Sequence, residues 1–249
     1  KMGTPLIGRN VRVEISKTEA AAKVVSAVTQ ASPGVATSTA HALTDGSVGY
    51  FGTVSGMAQL EGQAVRVDAP AANTFELQGI KTTNFPAFTG TANFTPITAW
   101  STLSRAASYK IGGGEADQID ITVLIDVIKK NANGLLAAQS VSIDLKLETQ
   151  DDEAIGLIRT AALEQSYMVF RITLSDGSQR LFRGQPSLPG EDVSQGSLGT
   201  GSFNVTVSGD GRYAVNRRAV DGRSVERLSA ELEAAALGAA DTVVIVYAD

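Results

Sequence analysis

The chain has 249 residues, 43% of them hydrophobic, with 21 Lys+Arg against 26 Asp+Glu for a formal charge of −5, the balance of a globular protein of one or two domains. It contains no cysteine and one histidine, His41. That excludes disulfides, thiolate metal sites, iron–sulfur clusters and cysteine nucleophiles, rules out a two-His metal site within one chain, and leaves any Ser-His-Asp arrangement to His41 alone.

The acidic balance, with no basic cluster beyond Lys129-Lys130 and Arg217-Arg218, argues against tight binding of phosphates. The most apolar stretch, 234–248, is cut by Asp241 and falls short of the ~18 uninterrupted apolar residues that span a bilayer. The first ten residues hold no long apolar run, so a chain made and assembled in a cytoplasm is expected, with no membrane partner.

In chain order, Asn10 to Ile15 alternates polar and apolar residues, the mark of a strand with one buried face. From Val24 to Thr98 the composition changes: these positions hold six charged residues (Asp45, Glu61, Arg66, Asp68, Glu76, Lys81) and six of the aromatics. Short β-rich runs recur there at 24–29, 35–39, 48–54, 64–67, 74–77 and 92–97, separated by Gly, Asn or Pro. The pattern predicts a small β-barrel inserted in a larger domain. His41 precedes a turn and reads as a residue that ties down backbone. Gly112-Gly113-Gly114 lacks the flanking pattern of a phosphate loop and reads as a hinge.

Asp120 to Asp126 reads as a strand buried at its centre, followed by a loop over 127–138. In 140–148, Val141, Ile143, Leu145 and Leu147 share one face, and the other face is wholly polar. Asp151-Asp152-Glu153 opens a helix, where the macrodipole favours negative charge, with Ala154, Ile155, Ile158, Ala162 and Leu163 as its apolar stripe. A strand at 167–174, a turn at 175–178 and its partner at 179–184 form a hairpin. A long Pro/Gly/Ser-rich loop at 185–201 precedes a strand at 202–208. The turns at 209–211 and 221–222 lack the ligand spacing of a calcium loop. Val225, Leu228, Leu232, Ala235 and Ala236 then predict a helix ending at Gly238, and 242–247 a strand. The fold class is mainly β: a β-sandwich over 1–23 and 99–220 with one flanking helix, an inserted β-barrel at 24–98, and a helix–strand extension at 221–249.

The run Ala107-Ser108-Tyr109-Lys110-Ile111-Gly112-Gly113-Gly114-Glu115-Ala116-Asp117-Gln118-Ile119-Asp120-Ile121-Thr122 precedes the alternating strand 141–147, a short helix, the 167–182 hairpin and Gly201-Ser202-Phe203-Asn204-Val205-Thr206-Val207. This order of features resembles the major tail tube proteins of long-tailed bacteriophages. The insert, through Val35 to Gly46, Val54 to Gln63 and Asn73 to Leu77, is similar to a β-barrel module related to the first catalytic-cysteine half-domain of ubiquitin-activating enzymes and found in phage tail proteins. Without cysteine, that similarity implies a fold and no enzymology.

The resemblance implies a homohexameric ring, stacked into the tail tube of a virion and assembled in the host cytoplasm. Its implied partners are further copies of itself, tape measure and tail terminator proteins, and viral DNA in transit; it implies no cofactor, no metal and no catalysis. Ser142, Asp144, Lys146 and Glu148 are the candidates for the lumen, whose lining is expected to be negative or mixed, because a basic lining would hold phosphates. Ring stacking is assigned to Val127, Lys129, Asn131 and Asn133, to Pro189, Glu191, Asp192 and Ser194, and to an N-terminal arm with Thr4, Pro5 and Leu6. The insert is expected to project outward. The competing reading is a β-rich host-binding or baseplate module recognising a surface glycan or protein. A glycosidase on the insert is disfavoured, because only Asp45, Glu61, Asp68 and Glu76 would supply its carboxylates.

Overall fold

The computed structural model describes residues 10–125, 127–148, 152–208 and 214–216. The predicted arm residues Thr4, Pro5 and Leu6, the turns at 209–211 and 221–222, and the 221–249 extension lie outside the described residues.

Alternation in the first strand produces β1 (Arg12–Glu19), with Val13 and Ile15 buried on one side and Glu14 and Ser16 buried on the other. The low-charge region gives β2 (Lys23–Val25), β3 (Ala27–Val28), β4 (Gly34–Thr37), β5 (Val48–Val54), β6 (Ala64–Asp68) and β7 (Thr74–Leu77). Then β8 (Ala92–Thr102) runs well beyond the predicted end at 97. It pairs with β5 and β2 on the insert side and with β1 on the body side, so one strand serves both regions.

The body continues through β9 (Ala106–Gly112), β10 (Ala116–Asp120), β11 (Asn131–Leu136), β12 (Ser140–Lys146), the helix α1 (Glu153–Glu164), β13 (Met168–Thr173), β14 (Gln179–Pro186), β15 (Gly190–Asp192), β16 (Thr200–Val207) and β17 (Ala214–Asn216). The molecule is therefore mainly β with one helix. A single hydrogen-bonded path runs β3-β4-β7-β6-β5-β8-β1-β13-β14-β16-β12-β9, with β2, β15 and β17 as side branches, and β10 and β11 form a separate two-stranded ribbon.

Two cores follow from the two compositions. In the insert, Phe51, Phe75 and Phe94 are fully buried, with Phe94 in ring contact with both others at centroid distances of 5.3 and 5.2 Å. In the body, Val141, Ile143 and Leu145 of β12 meet Phe203 and Val205 of β16, Phe170 and Ile172 of β13, and Ile155 and Ile158 of α1. A smaller cluster of Val48, Ala64, Ile97, Val169 and Leu181 joins the two. Beside it, the Arg183 guanidinium lies 4.4 Å from the Tyr50 ring of the insert and 4.6 Å from the Tyr167 ring of the body, a cation–π sandwich. Tyr50 Oη donates to Glu19 at 3.0 Å; burial and the Glu19 charge raise the phenol pKa.

The structure departs from the sequence pattern in four places. The segment 121–125 is not a buried strand: β10 ends at Asp120, and Ile121, Val123, Leu124 and Ile125 are exposed. The loop assigned to 127–138 contains β11, which pairs with β10. The long loop at 185–201 is shortened at both ends and contains β15, because Gly190 to Asp192 hydrogen-bonds along the edge of β16. In α1 the buried stripe is Ala154, Ile155, Ile158 and Ala161, while Leu163 is exposed; five residues beyond Ile158, it falls on the solvent side of a 3.6-residue turn.

Candidate assembly surface

The strand β12 sits between β9 and β16; its antiparallel ladder with β16 is unbroken from Ser140 opposite Thr206 to Lys146 opposite Thr200, and its ladder with β9 shifts register between Asp144 and Leu145. Residues directly opposite one another share a sheet face, so the polar side of β12 extends over its neighbours. One row reads Lys110–Ser142–Asn204, the next Ser108–Asp144–Ser202, and the third Lys146–Thr200–Asp192. All are exposed or half-buried. The Ser108 hydroxyl donates to the Asp144 carboxylate. At one end the face forms an open groove of about 650 Å³ lined by Ser108, Asp144, Lys146, Asp192, Thr200 and Ser202. Two lysines face two aspartates, so the face is charge-balanced.

Sequence reasoning found Ser142, Asp144 and Lys146 of this face and missed Ser108, Lys110, Ser202 and Asn204, although 202–208 alternates polar and apolar as 140–146 does. Glu148 lies past the end of β12 and makes an ion pair with Arg105 at 2.8 Å. At the start of α1, Asp152 is 3.6 Å from Arg105 and makes no side-chain cap. Glu153 pairs with Lys17, which holds its carboxyl below the ordinary range, with Ser101 adding to the effect.

The face ends at β9, whose outer edge has no strand partner among the described residues. Such an edge presents unpaired N–H and C=O groups and is a template for another chain. On the far side of the sheet, β15 extends the edge of β16. Glu191 of β15 turns toward the helix, where Arg159 donates to it at 2.7 Å. Asp192 stays on the polar face, Ser194 is exposed and Pro189 is half-buried; the Ser197 N–H donates to the Ser194 carbonyl.

Between β9 and β12 the chain leaves the main sheet as the β10–β11 ribbon. Gly113 and Gly114 at its base have φ of +84° and +80°, a backbone conformation that glycine adopts without strain. A Cβ on Gly113 would lie 2.5 Å from the Ala138 carbonyl oxygen. Along the ribbon, Asn131 opposes Asp120 and Asn133 accepts from Gln118 at 2.8 Å. Asp120 accepts from the Thr122 backbone and hydroxyl and lies 3.4 Å from Lys129. These contacts, Thr122 foremost, lower its pKa. Leu124, Ile125, Val127 and Ile128 at the tip are exposed by 77% or more.

His41 belongs to none of these surfaces. It is buried, its Nδ1 accepts the Leu43 N–H at 3.0 Å, and Nε2 bonds the Thr74 carbonyl at 3.2 Å, so both ring nitrogens hold backbone. Among the described residues, no group of three or more His, Asp or Glu side chains is placed to hold a metal.

Among the described residues the subunit is mainly β, with a sheet edge that has no strand partner, a charge-balanced polar face and a β10–β11 ribbon with an exposed apolar tip. The model of the phage tail tube protein (TTP) family matches residues 55–215, more than half of the chain, and the chain belongs to that family. The match runs from inside the inserted region, through the polar face, to the last described strand. No match to the chain is found among curated proteins. The chain is accordingly a structural component of a phage virion tail, and not an enzyme.

Proposed function

We propose that six copies close into a ring through their sheet edges, that rings stack into the tail tube, and that the polar β9–β12–β16–β15 face lines the bore through which the genome passes. The observation that carries this reading is the outer edge of β9, which has no strand partner among the described residues and lies directly beside the polar face. Pairing it with the β15 side of a neighbour satisfies both edges, and cyclic repetition of one such contact closes a ring. Alternating Lys110, Asp144, Lys146 and Asp192 gives DNA no continuous cationic track to bind. Tape measure and tail terminator proteins are the further partners of such a tube, and the host cytoplasm is its site of assembly.

In this reading the 24–98 module stands on the outside of the tube and keeps the barrel character that its resemblance implies. The rival reading as a glycan-binding module is weakened by burial: Phe51, Phe75 and Phe94 form the module's core and offer no stacking platform to a sugar. Negative-stain microscopy of the purified chain at high concentration tests the proposal. Hollow rings or tubes support it; discrete small oligomers without a bore overturn it.

A further inference from the structure

Asparagine occurs eight times in the chain, and Asn133-Gly134 is the one place where glycine follows it. A backbone amide nitrogen can attack the side-chain carbonyl carbon of the asparagine before it and close a succinimide ring. The attack is intramolecular and gains from the high effective concentration of a tethered nucleophile. A side chain on the attacking residue hinders the approach, so only Asn133 is followed by a residue without that obstacle.

The ribbon adds two features at this position. Between the Ala116–Leu136 and Gln118–Asn133 pairs the register shifts, so that Gly134 and Leu135 stand opposite the single residue Asp117. A bulge of this kind disrupts the ladder locally and leaves its extra residue unpaired, which frees the backbone just after Asn133 from regular strand pairing. Asn133 itself is exposed, and Gln118 Nε2 donates to its Oδ1 at 2.8 Å. That oxygen gains negative charge as the carbonyl carbon is attacked, and a hydrogen-bond donor already aimed at it favours the attack.

We propose that Asn133 is a self-modification site, converted through a succinimide to aspartate and isoaspartate with Gln118 as the donor to its carbonyl oxygen. The bond from Gly134 N to Asn133 Cγ forms and the Cγ–Nδ2 bond breaks. The proton of the Gly134 N–H leaves, by way of solvent, on the departing ammonia, and water then opens the ring. The new carboxylate lies diagonal to Asp120 on the same face of the ribbon, a like-charge neighbour across the two strands. In the isoaspartyl product the main chain runs through the former side chain, and the extra backbone atom spoils the register of β11 against β10. The reaction belongs to the single subunit, does not depend on how copies assemble, and accumulates with the age of the chain.

The purified full chain, held in mildly alkaline buffer and sampled over time, tests this. Trypsin cuts after Lys130 and Lys146, so one peptide, 131–146, carries both Asn131 and Asn133. Fragmentation in the mass spectrometer assigns the conversion to one of them and separates the two products. Asn131, followed by alanine, is the control within the same peptide, and conversion at Asn133 should exceed it by about tenfold or more. Gln118→Leu and Gln118→Glu both remove the donor, the second at nearly unchanged size. Each should slow the reaction by roughly threefold, less than the roughly 10²–10³-fold cost of an oxyanion donor in a closed active site, because water reaches this exposed position. Equal conversion at Asn131 and Asn133, or conversion at neither, overturns the inference; reaction as fast in both Gln118 variants as in the parent overturns the role given to Gln118.

Discussion

The 24–98 region and the β10–β11 ribbon treat apolar residues in opposite ways. In the 24–98 region, the aromatic and aliphatic residues turn inward: Phe51, Phe75, Phe94, Leu60 and Leu77 are fully buried, while Val24 is exposed. In the ribbon, Ile119, Ile121, Val123, Leu124, Ile125, Val127, Ile128 and Leu135 are all exposed. The 24–98 region buries its large apolar residues almost completely; the described residues leave those of the β10–β11 ribbon exposed. The difference separates apolar residues that hold the subunit together from apolar residues that contribute little to its packing.

The largest effect is expected at the tip of the β10–β11 ribbon. Replacing Leu124 and Ile125 by Asp should abolish tubes in the electron microscope, while the subunit's urea midpoint changes little, since exposed substitutions away from packed features stay within about 0.5 kcal/mol. The reverse applies to Phe94→Ala, which removes the ring that packs on Phe51 and Phe75. It should cost about 3–5 kcal/mol, read as a lowered denaturation midpoint. If the tip variant unfolds and Phe94→Ala does not, the roles assigned to the two regions are reversed.

A smaller effect is expected at the base of the ribbon. Gly113→Ala forces a side chain onto a φ of +84° and against the Ala138 carbonyl, a strain of order 1–3 kcal/mol. Tube yield should fall more than stability does, because misdirecting the ribbon spares the core. The smallest effect concerns Glu153. Its folded pKa is depressed by Lys17, so the stabilisation from this pair is present above the unfolded carboxyl value and is lost as pH falls through the folded one. Lys17→Met should raise the Glu153 carboxyl titration, followed by NMR, toward the ordinary carboxylate range.

The strands that bury one face were legible in the sequence. Val141, Ile143 and Leu145 alternate with polar residues, and the structure buries all three. The exposure of Ile121, Val123, Leu124 and Ile125 was not legible, because a short apolar run by itself does not distinguish a buried strand from an exposed loop. The brief β15 carries no pattern of its own and exists because the edge of β16 is available. The polar face was found on one strand only, since its other rows are assembled by register across β9 and β16, which sequence spacing alone does not give.

In the proposed ring, closure depends most on the edge of β9. Amide hydrogen exchange of the free subunit and of assembled tubes, compared residue by residue over 106–112, tests it directly. In an antiparallel edge strand alternate amides point outward, and these should exchange freely in the subunit and become strongly protected in tubes. Outward amides that exchange equally fast in both states would contradict ring closure through this edge.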